Sequence, residues 1–446
     1  MSAVSNPRLI FYANTEQLGT VNFPFIDAPI DAIKRKASNV VYSSSNTFPS
    51  GKTAAAGDIA IVFINSDSGE EIFLPSSEIV QNNWGDRSQD GLYAWNGGDS
   101  LVEAAAAVYS TVIVVVHTVG PITLENWIDL PSVKAVVFAH LPGQEAGDSL
   151  TDVLFGDYSP SGHLPYSIPV AEDDYAPSVS LSMAESAILG FDIGPQVQDT
   201  YSEGLYIDYR YLNKNGTAPR YAFGHGLSYT NFTFGTPTIK SGASLTPTPP
   251  ARAPKGATPT YDTTIPPYSE VTWPATLNYI DRYLYPYLSA DVAATITSAA
   301  DPGFPTGYSS TPQPDPPAGG DQGGNPALWD ILFNITVPVT NTGKVAGKEV
   351  AMLFVQYPSD NPWDTPIIQL RDFGKTDTLA VGQTENVLLQ LTRKDLSIWD
   401  VVQQNWIIPV STSGKLFTFW VGDSSANLTV ACTSDSKCAT GLTPPV

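Results

Sequence analysis

Apolar residues follow two kinds of pattern, and the pattern changes beyond the middle of the chain. Asp58-Ile59-Ala60-Ile61-Val62-Phe63-Ile64-Asn65 is a nearly unbroken apolar run, as in a strand covered on both faces. A Gly- and Ser-rich turn follows. Residues 97–108 then predict a helix, with Asp99 or Ser100 as its cap and Leu101, Val102 and Ala104 to Ala106 on it. Further buried strands are predicted at 111–117 and 133–139. A second helix is predicted over 143–155, where Ala146, Leu150, Val153 and Leu154 recur at helical spacing. Strands alternating with helices imply βαβ crossovers and a mostly parallel sheet. Ligands on such sheets collect beyond the carboxyl ends of the strands, which singles out the loop after Asn65.

Residues 241–326 hold 16 of the 38 prolines, in long Ser/Thr/Gly/Pro mixtures that exclude helix or central strand over most of their length. One aromatic island, Thr276-Leu277-Asn278-Tyr279-Ile280-Asp281-Arg282-Tyr283-Leu284-Tyr285, predicts a short helix ended by Pro286. From residue 327 the period becomes two: Leu332, Asn334 and Thr336 alternate with Phe333, Ile335 and Val337. Turn signals at Asn341-Thr342-Gly343 and Gly382 separate strands expected near 349–356, 384–391 and 415–421. About seven short strands suit a two-sheet β-sandwich. The expected architecture is therefore an α/β domain with a mostly parallel sheet over 1–236, a Pro-rich linker or insertion over 237–326, an all-β sandwich over 327–432 and a tail over 433–446.

Composition narrows the partners. The 446 residues carry a formal charge of −22, which repels phosphate backbones and anionic lipid, so neither nucleic acid nor membrane is expected as a partner. At 42% hydrophobic the chain is too apolar for a disordered acidic polymer. No basic segment followed by an apolar stretch opens the sequence, so no signal peptide is recognised. Four Asn-x-Ser/Thr sequons, at Asn215, Asn231, Asn334 and Asn427, nevertheless favour a secretory route. Cys432 and Cys438 fit either a small disulfide loop or two free thiols.

No His-x-x-x-His, Cys-x-x-Cys, Gly-x-Ser-x-Gly or phosphate-loop motif occurs, so no metal and no cofactor are expected. What remains is carboxylate chemistry. Asn65-Ser66-Asp67-Ser68-Gly69-Glu70-Glu71-Ile72 places three carboxylates on a turn-prone loop at the end of a buried strand. A carboxyl group half-buried there has its pKa raised, as a general acid requires. A solvated acidic loop is the plain alternative.

The same residues resemble the second domain of fungal family 3 β-glucosidases. The resemblance runs through Asn65-Ser66-Asp67-Ser68-Gly69-Glu70, Gly85-Asp86-Arg87, Val119-Gly120-Pro121, Leu141-Pro142-Gly143-Gln144-Glu145-Ala146-Gly147 and Ser159-Pro160-Ser161-Gly162. It continues through Ser202-Glu203-Gly204-Leu205-Tyr206-Ile207-Asp208-Tyr209-Arg210 and Phe223-Gly224-His225-Gly226-Leu227-Ser228-Tyr229. Asn341-Thr342-Gly343-Lys344-Val345-Ala346-Gly347 and Asp395-Leu396-Ser397-Ile398-Trp399-Asp400 are similar to that family's fibronectin-III-like domain.

The resemblance implies three parts, a (β/α)8 barrel, an α/β sandwich and the fibronectin-like module, of which this sequence resembles the last two. It implies that Glu70 is the general acid/base of a retaining hydrolysis of β-glucosides. The nucleophile would be an Asp in a Ser-Asp-Trp motif on the barrel, and no Asp-Trp dipeptide occurs here. Glu71 stands where the family has Gly, and Ile72 where it has the Tyr that lines the leaving-group subsite. Phe73 and Trp84 become the candidate substrate-binding side chains beside Ile72, with Trp95 a further candidate platform and core packing its alternative. His140 replaces a usual Gly and reads as a turn residue; Glu145 and His225 read as structural. Gly19-Thr20-Val21-Asn22-Phe23-Pro24 matches a family segment that follows a first strand, which Arg8-Leu9-Ile10-Phe11-Tyr12 would replace if the strand is present at all.

Two readings follow. In the first, the chain is the C-terminal part of a secreted β-glucosidase acting on cellobiose-like oligosaccharides in cellulose breakdown, inactive without the barrel. In the second, it is a non-catalytic carbohydrate-binding or scaffold protein derived from such an enzyme, and the changes at Glu71 and Ile72 favour it.

Overall fold

The computed structural model describes residues 2–4, 25–66, 92–175, 182–188, 191–198, 201–251, 324–441 and 443–445. Its first layer is a five-stranded sheet of β1 (Ser2–Val4), β2 (Val41–Ser43), β3 (Ala60–Ser66), β4 (Val112–Thr118) and β5 (Val133–Phe138), in the order β2-β1-β3-β4-β5. All four pairings are parallel. The strand beside β3 is thus Ser2–Val4, while residues 8–12, expected to replace it, lie outside the described residues.

Among the described residues three helices cover this sheet: α1 (Pro29–Lys36), α2 (Gly98–Val108) and α3 (Ala146–Leu154), the last entered through a 3-10 turn at Gly143–Glu145. Ala60, Val62 and Ile64 of β3 pack with Leu101, Val102 and Ala105 of α2 and with Trp127. Ile61 and Phe63 face the other way, onto Ile33 of α1 and Leu150 of α3. Burial on both faces is why β3 reads as an unbroken apolar run.

The expected cap of α2 is different. Gly97, at φ 72, occupies the cap position without a side-chain bond. The Asp99 carboxylate instead accepts from Trp127 Nε1 and Asn126 Nδ2, both at 2.9 Å, tying the helix to the segment after β4. Local sequence favours the cap, but a buried indole N–H needs an acceptor, and Asp99 supplies it.

Beyond α3 lie an antiparallel hairpin, β6 (Ser182–Ile188) with β7 (Phe191–Gln198), and the helix α4 (Tyr209–Asn215). Neither is legible as a separate element in the sequence pattern.

The second layer is the β-sandwich. One sheet joins β8 (Phe232–Phe234), β9 (Thr238–Ser241), β10 (Ile331–Asn341) and β13 (Thr384–Thr392). The other runs β12 (Gln369–Lys375), β11 (Val350–Gln356), β16 (Thr418–Ser424), β17 (Asn427–Thr433) and β18 (Cys438–Thr440). A short ribbon, β14 (Ile398–Asp400) with β15 (Asn405–Ile407), follows the turn of helix α5 (Arg393–Leu396). Phe333, Ile335, Val337 and Val339 of β10 face Leu353, Val355, Phe419 and Val421 inside.

The sandwich begins earlier and ends later than the sequence boundaries at 236/237, 326/327 and 432/433. β8 and β9 both pair with β10, on either side of Pro338. Proline has no N–H to offer a neighbour, so the partner strand breaks there and only Pro338 O is used, by Gly235 N at 2.8 Å. The first part of the Pro-rich stretch also belongs to this body. Arg393, 2% exposed, donates to the carbonyls of Ser244 and Thr246 at 2.7 and 2.8 Å, and Ile408 N donates to Pro247 O at 2.8 Å. At the far end Cys432 and Cys438 are joined by a disulfide, and β18 extends the sheet into the expected tail.

The outer face of the β11–β16–β17 sheet is not free. Val350, Met352, Phe354, Trp420, Leu428 and Ala431 form a core with Tyr209 of α4, and Phe223 packs against it. The two domains therefore share an apolar joint.

Candidate functional site

The parallel sheet directs attention to the carboxyl ends of β3, β4 and β5. β3 ends at Ser66, and the chain is next described at Leu92. Both ends of the intervening stretch are tied to the segment after β4. Val119 N donates to Ser66 O at 3.3 Å, and Thr123 N donates to Leu92 O at 2.7 Å. Glu70, Ile72, Phe73 and Trp84 all fall between these anchors, outside the described residues.

Among the described residues, two donors at this edge find no partner. Ser66 Oγ is buried without a hydrogen bond, and so is the Nε1 of Trp95, which is 4% exposed. Trp95 thus packs into the core beside β3 rather than presenting a platform.

His117, near the end of β4, is 7% exposed and stacks on Phe63 with ring centroids 6.1 Å apart. Burial, with the nearby His140 as a lesser cause, pushes its pKa down to about 4, so the ring is neutral near neutral pH. Nothing in the apolar run around it marks this residue out.

His140 lies just past β5 with a left-handed backbone, at φ 50. It is also bonded on both nitrogens: Nδ1 lies 3.2 Å from Phe138 O and Nε2 2.8 Å from the Tyr166 hydroxyl. A neutral ring satisfies both if Nδ1–H donates to the carbonyl and Nε2 accepts from the tyrosine. Burial lowers its pKa, in keeping with that tautomer. Along the same edge Tyr93, Val119 and Leu141 leave large apolar side chains exposed.

The other motif residues hold the frame. Glu145 caps the start of α3, its carbonyl accepting from Ser149 Oγ at 2.8 Å. Asn341, fully buried, accepts from Thr230 Oγ1 and Gly343 N and donates to the carbonyls of Val345 and Leu379. Of the sequon asparagines, Asn215, Asn231 and Asn427 are exposed. Asn334 is half-buried on β10 and accepts from Gln390 Nε2 at 2.7 Å. Among the described residues no group of three or more His, Cys, Asp or Glu is arranged to hold a metal ion. No helix among them is long and apolar enough to cross a membrane.

Comparison with known proteins identifies the frame. Residues 12–229 match the glycosyl hydrolase family 3 C-terminal domain, and residues 349–425 match a fibronectin type III-like domain. The chain carries the C-terminal domain of glycosyl hydrolase family 3. It is 54% identical over 423 residues to "Probable beta-glucosidase F" of Aspergillus flavus, a match covering 95% of this chain and 47% of that protein. The corresponding Emericella nidulans protein is 51% identical over 426 residues, again 95% of this chain and 47% of the relative. Among solved structures, the Trichoderma reesei β-D-glucoside glucohydrolase is 34% identical with a TM-score of 0.64, covering 93% of this chain and 46% of that one. The Chaetomium thermophilum β-glucosidase is 33% identical with a TM-score of 0.71, covering 93% and 49%. The chain thus spans about half the length of the family 3 relatives it matches.

Proposed function

We propose that this chain is the C-terminal part of a β-glucosidase that hydrolyses terminal, non-reducing β-D-glucosyl residues of cellobiose-like oligosaccharides with retention. The observation that carries this reading is the carboxyl edge of the parallel sheet in a family 3 domain, where β3 ends at Ser66, immediately before the acidic sequence Asp67 to Glu71. Glu70, four residues past Ser66, protonates the leaving oxygen and then deprotonates the attacking water. Ile72, Phe73 and Trp84 line the leaving-group side. Retention needs a second carboxyl about 5–5.5 Å away to form the glycosyl-enzyme intermediate. With no Asp-Trp dipeptide in these 446 residues, that nucleophile comes from a barrel outside them. The parent enzyme is secreted, works in cellulose breakdown and carries glycans at its sequons Asn215, Asn231, Asn334 and Asn427.

The test is hydrolysis of an aryl β-glucoside by the 446-residue chain, alone and mixed with the half of the Aspergillus flavus relative that this chain does not match. The expected result is no turnover alone. Ordinary turnover by the chain alone would contradict the assignment of the nucleophile to a separate barrel.

Glu71 and Ile72 support a second reading, a non-catalytic carbohydrate-binding or scaffold protein, because they alter the positions next to the proton donor. Affinity for gluco-oligosaccharides without hydrolysis, even with a barrel supplied, would favour it over the first.

A further inference from the structure

Beside the apolar joint between the domains lies a cluster of ionisable groups that the hydrolysis does not use. His163, from the loop after α3, has a side chain only 9% exposed. Its Nε2 lies 3.1 Å from Oε1 of Glu349, the residue before β11, and its Nδ1 lies 2.6 Å from Gly224 O. Both ring nitrogens therefore face acceptors, a carboxylate and a carbonyl. Only the imidazolium carries a proton on each, and a neutral ring turns one lone pair against an acceptor.

Among the described residues the surrounding groups are few. Asp423 of β16 is half-buried and accepts from Asn427 Nδ2 at 2.8 Å; its charge acts on both His163 and His225. His225 is half-buried with its ring 4.8 Å from that of Tyr221. Lys375 of β12 donates to Ser161 O at 2.9 Å. The fit leaves little slack: a Cβ on Gly224 would lie 2.8 Å from Ser424 Cα and 2.9 Å from Met352 Sδ.

We propose that His163 is a proton-operated latch between the α/β domain and the sandwich, closed while its ring is an imidazolium and released when the ring loses a proton. The electrostatics run the same way. Burial works against the His163 charge, but its bonds to Glu349 and to the Gly224 carbonyl outweigh that and hold its pKa above 6.5. A raised histidine stabilises the closed joint fully below 6.5, and that contribution is lost as the pH rises through the raised value. Burial raises the Asp423 pKa, so its ionisation also works against the closed joint as pH rises. His225 opposes them: burial lowers its pKa, and its protonation below 6.5 costs the closed state. The joint is tightest where His163 holds its proton and His225 has none.

The test follows the imidazole protons by NMR between about pH 5 and 8. Alongside, amide exchange is measured at Ser425 and Leu370, whose N–H groups donate across the joint to Phe223 O and to the Tyr209 hydroxyl. We expect His163 to titrate above 6.5. Protection at Ser425 and Leu370, relative to β10 amides, should fall through the same midpoint, about tenfold for each pH unit by which the closed-state midpoint exceeds the open-state one. Glu349→Gln should lower that midpoint and flatten the protection profile. A His163 midpoint at or below 6.5, joint protection that ignores it, or an unchanged profile in Glu349→Gln would overturn the latch. The wild-type titration decides the matter if the variant does not fold.

Discussion

Gly147 is a glycine because Asp27 occupies the place of its side chain. A Cβ there would collide with the Asp27 carboxylate and lie 2.8 Å from Ala28 O. The approach is fixed by two backbone bonds, Gly147 N to Asp27 O and Asp27 N to Gln144 O, both at 2.8 Å. Arg35 of α1 then bridges Asp27 and Asp148, so α1 and the start of α3 are stapled together. Gly147→Ala should destabilise the α/β domain by about 1–3 kcal/mol through forced backbone movement. Urea unfolding of the two proteins measures this, and an unchanged midpoint would show that the segment yields freely.

Acid should weaken the same domain through His117. Its neutral ring is favoured in the folded state, so stability is full above the ordinary value of 6.5 and falls as pH drops towards about 4. That interval corresponds to ~3 kcal/mol as an upper figure. Unfolding free energies measured across this range should decline, and His117→Phe, which keeps the stack on Phe63, should remove most of the decline. An identical slope in the variant would assign the acid sensitivity to other groups.

Arg393 fixes the stretch leading into the Pro-rich region. Replacing it with Met leaves the Ser244 and Thr246 carbonyls without their donor, at an expected cost of about 2–4 kcal/mol. Exchange of the Ile408 amide, which bonds to Pro247 O, should accelerate more than that of β11 amides. Equal acceleration everywhere would mean that the loss is global rather than local to this stretch.

The Cys432–Cys438 bridge closes a very short loop at the sandwich edge. Chain-entropy reasoning gives about 2 kcal/mol for so small a loop. Reduction should lower thermal stability by that order while leaving the β10–β13 pairing intact, as read by amide exchange.

Much of the α/β domain is legible because burial on both faces writes itself as continuous apolar runs, as in Ile61 to Ile64 and Val112 to Val116. The alternation in β10 is equally plain, since one face meets the core and the other does not. Elements that depend on distant partners are not legible. Phe232 to Phe234 and Thr238 to Ser241 become strands by pairing with β10, nearly a hundred residues on, and nothing local separates them from a linker. Asp99 reads as a cap and serves Trp127, for the same reason. At the site, the sheet edge that precedes Glu70 in sequence is readable from the apolar strand pattern, whereas the burial of Ser66 and Trp95 emerges only from packing.

The central claim is that Glu70 donates the proton to the departing sugar oxygen. The direct measurement is kcat/KM of a chimera, with this chain in place of the matching half of the Aspergillus flavus relative, on cellobiose and on a dinitrophenyl β-glucoside. Glu70→Gln should cost roughly 100- to 10,000-fold on cellobiose, whose leaving group needs the proton, and far less in the glycosylation step on the aryl glucoside, whose leaving group does not. An equal loss on both substrates, or no loss on cellobiose, would contradict the assignment.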